Sequence, residues 1–352
     1  MKKFFALFLT CALAFSLALT GCSGSNENSA GEVNVYNWGV YIDESVLDEF
    51  EEQTGIKVNY DTFESNEAMY GVLKNDGASY DVIIPSDYMI SRMIEEDMLQ
   101  PINFDNIPNF SDIDPELKNP DYDPENLYSV PYMWGLLGII YNTSMIDEEI
   151  TSWSSMFDAQ YAGDIFMFDN SRDAIGLALK YLGYSYNTTN EDEIREAVDL
   201  LVQQKPLVNS YGMDDIFEKM QGGAVAIGAY YYGDYLTMRE VNPDLAFCLP
   251  EEGTNLYVDA MCIPKSAENK ENAEAFINFM CSTAVGMANV EETWYSSPLL
   301  SVREELDEET ASDPYAYPDS DVLSKCESFK NLPENILALY DSEWTRLKLA
   351  SN

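Results

Sequence analysis

The chain has 352 residues, of which 62 are acidic and 19 are basic, and it contains no histidine. The formal net charge of −43 argues against binding to phosphate backbones, so no nucleic-acid partner is predicted. Without histidine, imidazole-dependent catalytic triads, general bases and metal ligands are excluded.

The N-terminus has the parts of a secretory signal. Lys2 and Lys3 precede an apolar run over residues 4–20, which leads into the tetrapeptide LTGC at Cys22. LTGC resembles the lipobox of bacterial lipoproteins, which implies a lipoprotein signal peptide over 1–21. It also implies a lipidated Cys22 that anchors an extracytoplasmic protein to the membrane. The polar residues 22–31 predict a flexible tether.

Predicted strands and helices alternate from Glu32 onward. In the first part of the chain, the predicted strands cover residues 32–36, 56–62 and 80–85, and the predicted helices cover 43–54, 66–74 and 87–97. Gly55 is predicted to end the first helix. A loop-rich stretch with six prolines follows over 100–131, and GLLGIIYN at 135–142 predicts a strand.

The alternation continues to the C-terminus. The predicted strands there cover 163–168, 224–229, 246–249 and 256–263, and the predicted helices cover 173–182, 191–204, 213–221, 232–241, two segments after 263, and 333–349. This pattern predicts an α/β fold, and about 320 residues exceed one small core, so two lobes are expected. Four cysteines are predicted to pack as small apolar residues, with a single disulfide left open: Cys248, Cys262, Cys281 and Cys326.

Aromatic and polar side chains follow the ends of five predicted strands. Ligands of open α/β sheets bind beyond the carboxyl ends of strands, so these side chains are candidates for lining a cleft. They are Trp38, Tyr41, Ser86, Tyr88, Asn170, Asp173, Tyr231, Tyr257 and Asp259. Each alone is more simply a core or solvated residue, and Asp173 is also explained as an acid favoured by a helix N-terminus. Their recurrence at several strand ends favours a binding site.

A cleft of aromatic rings and carboxylates suits an elongated organic cation. Aromatic faces cover methylene groups and attract ammonium groups, each such contact contributing about 0.5–2 kcal/mol. Carboxylates pair with the ammonium ends, which are charged at neutral pH because aliphatic amines titrate near the lysine value of about 10.4. Sugars also stack on aromatic rings, but they need hydroxyl partners rather than carboxylates.

Longer motifs resemble one transport family over nearly all of 32–350. They include YNWGVY, EQTGIKVNYDTFESNEAMYGVLK, YDVIIPSDY, YSVPYMWGLLGIIYN, DNSRDAIGLALKYLGYSYNTTN, AIGAYYYGDY and NLYVDAMCIPKSAENKENAEAFINF. Their order and spacing are similar to those of the spermidine/putrescine-binding subunits of ABC transporters. The resemblance implies a two-lobed periplasmic-binding-protein-like fold of type II with a hinge. It places the lobes at 32–134 plus 259–300 and at 135–258 plus 301–352.

The same resemblance implies the function. The chain would be a monomeric, non-enzymatic receptor without cofactor or metal, which captures putrescine or spermidine between the lobes and delivers it to an ABC permease. Residue by residue, the resemblance assigns clamping aromatics to Trp38, Tyr41, Tyr88 and Tyr295. It assigns amine contacts to Ser86, Asp173 and Asp259, with Asp259 as the principal ammonium partner.

The chain departs from the family pattern at several site positions. Asn170 stands where relatives carry a carboxylate, and Tyr231 and Tyr257 stand where tryptophans are usual. Asp173 replaces a Glu that is one methylene longer, and Lys330 falls near a polar amide position. Two clear carboxylates favour a diamine, but Asp87 or Glu64 could supply a third, so the preferred polyamine is left open.

Three alternatives remain from the sequence. A receptor of the same fold for a sugar or an amino acid is the main one, and an amino acid would need an arginine such as Arg172. Clustered tyrosines at 230–232 would suit ferric iron, although alternating in/out packing explains them better. A carboxylate-pair glycosidase would need two acids at a set separation.

Overall fold

The computed structural model describes residues 30–75 and 79–351. The strands of the described part are β1 Glu32–Trp38, β2 Lys57–Phe63, β3 Val82–Ile83, β4 Ser129–Asn142, β5 Ile165–Phe168, β6 Val208–Gly212, β7 Ile227–Tyr231, β8 Leu245–Cys248 and β9 Leu256–Cys262. Its α-helices are α1 Ser45–Thr54, α2 Asn66–Lys74, α3 Asp87–Glu95, α4 Ser171–Tyr181, α5 Glu191–Gln204, α6 Ile216–Gln221, α7 Tyr232–Val241, α8 Lys270–Met280, α9 Thr283–Thr293, α10 Leu300–Glu305, α11 Glu308–Ala311, α12 Ser320–Leu323 and α13 Glu334–Leu349.

Local signals set the ends of three helices. Helix α1 stops at Gly55, which adopts a φ of 72°, and its N–H donates to the Glu51 carbonyl. Helix α2 begins at Ser65, whose hydroxyl accepts from the Ala68 N–H. Helix α4 begins at Asn170, whose side chain caps the first turn.

One strand belongs to both halves of the molecule. The first part of β4, Ser129 to Leu136, pairs with β9, which continues to β3, β1 and β2. The later part of β4 pairs with β7 on one side and β8 on the other, and β5 and β6 lie beyond β7. All 14 residues of β4 are buried. We call the body built on β1, β2, β3 and β9 the first lobe, and that built on β5, β6, β7 and β8 the second lobe.

Apolar side chains on helices cover both sheets. In the first lobe, Phe50 of α1 meets Phe276 of α8 with ring centroids 5.3 Å apart. In the second lobe, α4, α5 and α13 pack together over the sheet, and Trp153 is fully buried. This is the two-lobed α/β architecture predicted from the sequence.

The predicted elements differ from the structure where proline and short segments are involved. Strand β4 begins at Ser129, whereas 129–131 was placed in the loop, because Pro131 lies at a register shift of the ladder rather than outside it. Strand β6 and the short helices α10 to α12 were not predicted. Strand β3 has only two residues of the predicted six.

The lobe boundaries stay a prediction, and one contact bears on the last of them. Val302, assigned to the second lobe by the boundary at 300/301, lies in the first-lobe apolar cluster. A Cβ on Gly286 of α9 would lie 2.6 Å from a Val302 methyl, so α10 packs closely on α9. Helix α10 therefore packs against apolar residues of the first lobe, and the boundary at 300/301 stays a prediction.

The predicted signal peptide, Cys22 and most of the tether lie outside the described residues. Ala30, near the end of the predicted tether, contacts the first lobe: its N–H donates to the Gly55 carbonyl at 3.2 Å. Within 30–75 and 79–351, no helix combines the length and apolar character that a membrane span requires. The cysteines at 248, 262, 281 and 326 are free thiols, and Cys248, Cys262 and Cys281 are buried as predicted.

Candidate functional site

Asp259 lies where β9 meets the start of α3. Its Oδ2 accepts from the Tyr41 hydroxyl at 2.7 Å, and its Oδ1 accepts from the Ser86 hydroxyl at 2.6 Å. Only 6% of the residue is exposed, and this burial raises the pKa of the carboxyl to about 6 while both hydroxyls act to lower it. The three residues come from three separated parts of the first lobe, and the structure brings their side chains into contact.

The amide of Asn66 organises the other first-lobe residues. Its Nδ2 donates to the Ser86 hydroxyl at 3.1 Å and to the Tyr88 hydroxyl at 3.2 Å, and its Oδ1 accepts from the Ser86 N–H. The Tyr88 hydroxyl in turn donates to Glu67 at 2.9 Å. Trp38, the last residue of β1, is held by its indole N–H on the Ile84 carbonyl at 2.9 Å. These bonds fix the orientations of both aromatic rings.

Asp173 is the corresponding carboxylate of the second lobe. It is 3% exposed, accepts from the Tyr231 hydroxyl at 3.2 Å, and its Oδ1 has no hydrogen-bond partner among the described residues. Burial raises the pKa of this carboxyl to about 6. Asp173 thus lies both in the first turn of α4 and in the site.

Asn170 acts within the protein. Its Oδ1 accepts from the N–H groups of Arg172 and Asp173 as the cap of α4, and its Nδ2 donates to Asp173 Oδ2. The amide therefore orients Asp173, and a contact between Asn170 and a ligand stays a prediction.

A run of tyrosine rings joins the two carboxylates. Tyr231 contacts Tyr257 with centroids 5.1 Å apart, Tyr257 lies 6.1 Å from Tyr295, and Tyr295 lies 5.0 Å from Tyr41. Tyr231 and Tyr41 are the rings bonded to Asp173 and Asp259. The run thus crosses from the second lobe to the first, and its members are all predicted site residues.

Two glycines make room for this run. Gly135 of β4 lies opposite Tyr257 of β9, and a Cβ there would fall 2.4 Å from the Tyr257 hydroxyl. A Cβ on Gly233 would fall 2.7 Å from the Tyr295 ring. Both rings therefore lie directly on backbone.

Asp234 was missed in the sequence. It is half-buried in the first turn of α7 and accepts from the Tyr295 hydroxyl at 2.8 Å, which links second lobe to first. Burial raises the pKa of its carboxyl to about 7. Its position three residues after Tyr231, at a strand-to-helix junction, could have indicated a site residue. Acidic residues are common in the first turns of helices for electrostatic reasons, so this position did not distinguish Asp234 from an ordinary helix-start acid.

The two residues proposed as a third carboxylate differ in exposure. Asp87 is fully buried, its Oδ1 accepts from the Tyr88 N–H at 2.7 Å, and burial raises its pKa well above the usual range. Its Oδ2 has no hydrogen-bond partner among the described residues. Glu64 is exposed.

The cations and clustered tyrosines named in the sequence have defined partners. The Arg172 guanidinium stacks on Phe329 at 4.5 Å and on Tyr340 at 5.3 Å, and Lys330 Nζ lies 2.9 Å from Asp121 Oδ2. The hydroxyls of the tyrosines at 230–232 donate to three different carboxylates, those of Asp214, Asp173 and Asp313. Three divergent partners do not form the clustered ligand set that iron would need.

Two lobes joined by a shared strand, with buried carboxylates and tyrosines where they meet, define a solute-binding protein. The family model described as "Bacterial extracellular solute-binding protein" matches residues 45–317. The chain belongs to this family, which agrees with an extracytoplasmic location.

Relatives cover almost the whole chain. The spermidine/putrescine-binding periplasmic proteins of Salmonella typhimurium and Escherichia coli are 36% and 34% identical to it, with 99% of this chain and of each relative covered. The solved structure of the spermidine/putrescine transporter substrate-binding protein PotD of Streptococcus pneumoniae has 39% identity and a TM-score of 0.82, covering 91% of this chain and 99% of that one. The TpPotD lipoprotein of Treponema pallidum has 27% identity and a TM-score of 0.81, covering 90% and 99%.

Proposed function

We propose that this protein is an extracytoplasmic receptor that captures a polyamine between its lobes. The observation that carries the proposal is the set of carboxylates Asp173, Asp234 and Asp259, which surround a run of tyrosine rings. Among the described residues, no Lys or Arg nitrogen lies within the 4.0 Å ion-pair distance of any of them. Such a set is stabilised by a ligand that brings positive charges.

A polyamine supplies both complements of this site. Its ammonium groups donate charge-assisted hydrogen bonds to the carboxylates, and its methylene chain packs on the tyrosine rings. Closure of the lobes removes water from these contacts, and the ion pairs strengthen as the local dielectric constant falls. The protein binds and releases its ligand unchanged, so it performs no catalysis.

The names of the relatives support this ligand class and a transport role. Spermidine/putrescine binding is named for the Salmonella and Escherichia proteins, and an ABC transporter is named for the pneumococcal one. We therefore infer that the chain delivers its amine to an ABC permease. A monomeric state stays a prediction. A lipid on Cys22 would keep it at the membrane, in line with the lipoprotein character named for the Treponema relative.

Isothermal titration of the protein from Ser23 onward tests the proposal. The panel is putrescine, cadaverine, spermidine and spermine, with amino acids and sugars as controls, and the protein is refolded to remove carried-over ligand. We expect micromolar or tighter binding of at least one polyamine. Binding heat from a sugar or an amino acid, with none from any polyamine, would reject the proposal. It would indicate a receptor of the same fold for that solute instead.

The variant Asp259→Asn is expected to weaken polyamine binding roughly 100-fold, because it removes a buried charge partner. The amide has the same shape as the carboxyl: its oxygen accepts from one of the Tyr41 and Ser86 hydroxyls, and its NH2 group donates to the other. The matched control is Asp244→Asn, which changes an exposed acid before β8 and should leave the affinity unchanged. Equal affinities in both variants would remove Asp259 from the site.

A further inference from the structure

The segment Phe329–Asn331, between α12 and α13, is fixed to the second lobe. The Phe329 ring is 5% exposed and lies between Tyr186, at 5.5 Å, and the guanidinium of Arg172. The Lys330 N–H donates to the Asn187 side chain at 2.8 Å, and the Lys330 carbonyl accepts from Arg172 at 3.3 Å. The Phe329 ring and the Lys330 backbone are therefore both held by residues of the second lobe.

All three side chains of this segment then contact the first lobe. Lys330 Nζ lies 2.9 Å from Asp121 Oδ2, and Asn331 Nδ2 donates to Glu95 Oε2 at 2.7 Å. The Phe329 ring meets the Tyr88 ring edge-on at 6.2 Å. Glu95 ends α3, whose first turn carries Tyr88, so two of these contacts act on the element that presents a site aromatic.

We propose that Phe329–Asn331 is a latch that holds the lobes closed over the ligand. The proposal rests on the proposed function for the identity of the ligand. A contact that exists only when the lobes meet stabilises the closed state by its full strength, and it slows ligand release accordingly. The ion pair with Asp121 also directs the Lys330 ammonium toward a carboxylate, so that it does not repel the positively charged ligand.

The strength of the latch follows from its exposure. The side chains of Lys330 and Asp121 are 58% and 80% exposed. Their ion pair therefore contributes about 0.2–1 kcal/mol, as exposed pairs do, and salt weakens it. We expect Lys330→Met to raise the dissociation rate of the polyamine about two- to five-fold at low salt. The difference should disappear at high ionic strength, whereas the association rate should change little.

Stopped-flow measurement of dissociation tests this directly. The matched control is Lys348→Met, which removes a similar ion pair, with Asp169 at 2.7 Å, inside the second lobe. Exchanging the charges in Lys330→Asp combined with Asp121→Lys should restore slow release. Tighter binding by Lys330→Met, an unchanged dissociation rate, or no recovery in the exchanged pair would overturn the latch.

Small-angle scattering separates failure of the latch from failure of the proposed function. The ligand-free protein and the variant Lys330→Met/Asn331→Ala are compared by radius of gyration, without any amine. A larger radius in the variant supports the latch, and equal radii overturn it. Absence of polyamine binding by the unchanged protein would instead reject the proposed function.

Discussion

Each of the three site aspartates accepts a hydrogen bond from a different tyrosine hydroxyl. The pairs are Tyr231 with Asp173, Tyr295 with Asp234, and Tyr41 with Asp259. A tyrosine so placed orients the carboxylate and offers an aromatic face beside it. A tryptophan in place of Tyr231 would supply a larger aromatic face, but it could not supply this hydroxyl. The tyrosine hydroxyls therefore have a role that the aromatic rings alone would not fill.

The raised pKa values make ligand binding depend on pH. Burial raises the pKa of the Asp173 and Asp259 carboxyls to about 6 and that of the Asp234 carboxyl to about 7, against an ordinary 3.8. The ionised forms bind an ammonium, so the affinity reaches its full value only above about pH 8 and is lost as the pH falls through these pKa values. We expect titration calorimetry to show at least a tenfold loss, about 1.4 kcal/mol, between pH 7.5 and 5.5.

The same raised pKa values affect the stability of the ligand-free protein in the opposite direction to ligand affinity. Between about pH 4 and 7 its folded form binds more protons at these sites than the unfolded chain does, so their contribution to stability rises as the pH falls. Proton release on binding, measured in buffers of different ionisation enthalpy, checks both statements. An affinity that does not change with pH would contradict them.

Asp234 gives a second test at the residue scale. Asp234→Asn should weaken polyamine binding about tenfold or more, because a half-buried carboxylate partner of the ligand is lost while the hydrogen bond from Tyr295 is retained. Comparing putrescine with spermidine in this variant shows which ammonium the residue serves. Unchanged affinity for both amines would show that Asp234 does not bind the ligand. Its role would then be limited to the hydrogen bond with Tyr295 between the lobes.

At the scale of elements, β9 and β4 together place the centre of the site. Tyr257 and Asp259 are two residues apart on β9 and so point to the same face of the sheet. Gly135 on the neighbouring strand leaves the space that the Tyr257 ring occupies. A single pair of antiparallel residues thus sets where the aromatic run crosses between the lobes.

Gly135→Ala should therefore damage binding and stability together. The added methyl would overlap the Tyr257 hydroxyl, and overpacking of this kind costs about 1–3 kcal/mol. Gly71→Ala is the control, because its new methyl meets nothing within 4 Å in the middle of α2, where alanine is the better helix former. Thermal unfolding should show a lower midpoint for the first variant and an unchanged or higher one for the second.

Elements with a strong period were predictable from the sequence, and those that depend on distant partners were not. Helices α2, α5 and α7 begin and end where the pattern predicted them, because caps and apolar periodicity are local signals. The start of β4 was missed because Pro131 is a local loop signal that its partner Ala260 on β9 overrides. Asp234 was missed for the same kind of reason, since its role depends on Tyr295 of the other lobe.

At the scale of the whole molecule, a net charge of −43 surrounds a site for cations. A potential of this sign attracts amines toward the protein and raises their association rate, and salt screens it beyond about 10 Å at 0.1 M. We expect the association rate of a polyamine to fall about tenfold between 10 mM and 500 mM salt, measured by stopped-flow fluorescence of the site aromatics. A neutral ligand analogue should show no such dependence, and an equal rate at both salt concentrations would contradict the prediction.

The shared strand β4 and its neighbour β9 also determine when the protein can fold. Ile83 in β3 pairs with Cys262 in β9, and Ser129 pairs with the same cysteine. The first sheet is therefore incomplete until more than two thirds of the chain has been synthesised. A nascent chain whose first lobe cannot close early stays extended for longer, which is the state in which an exported protein crosses a membrane. The order of strands that builds the cleft thus also delays its assembly.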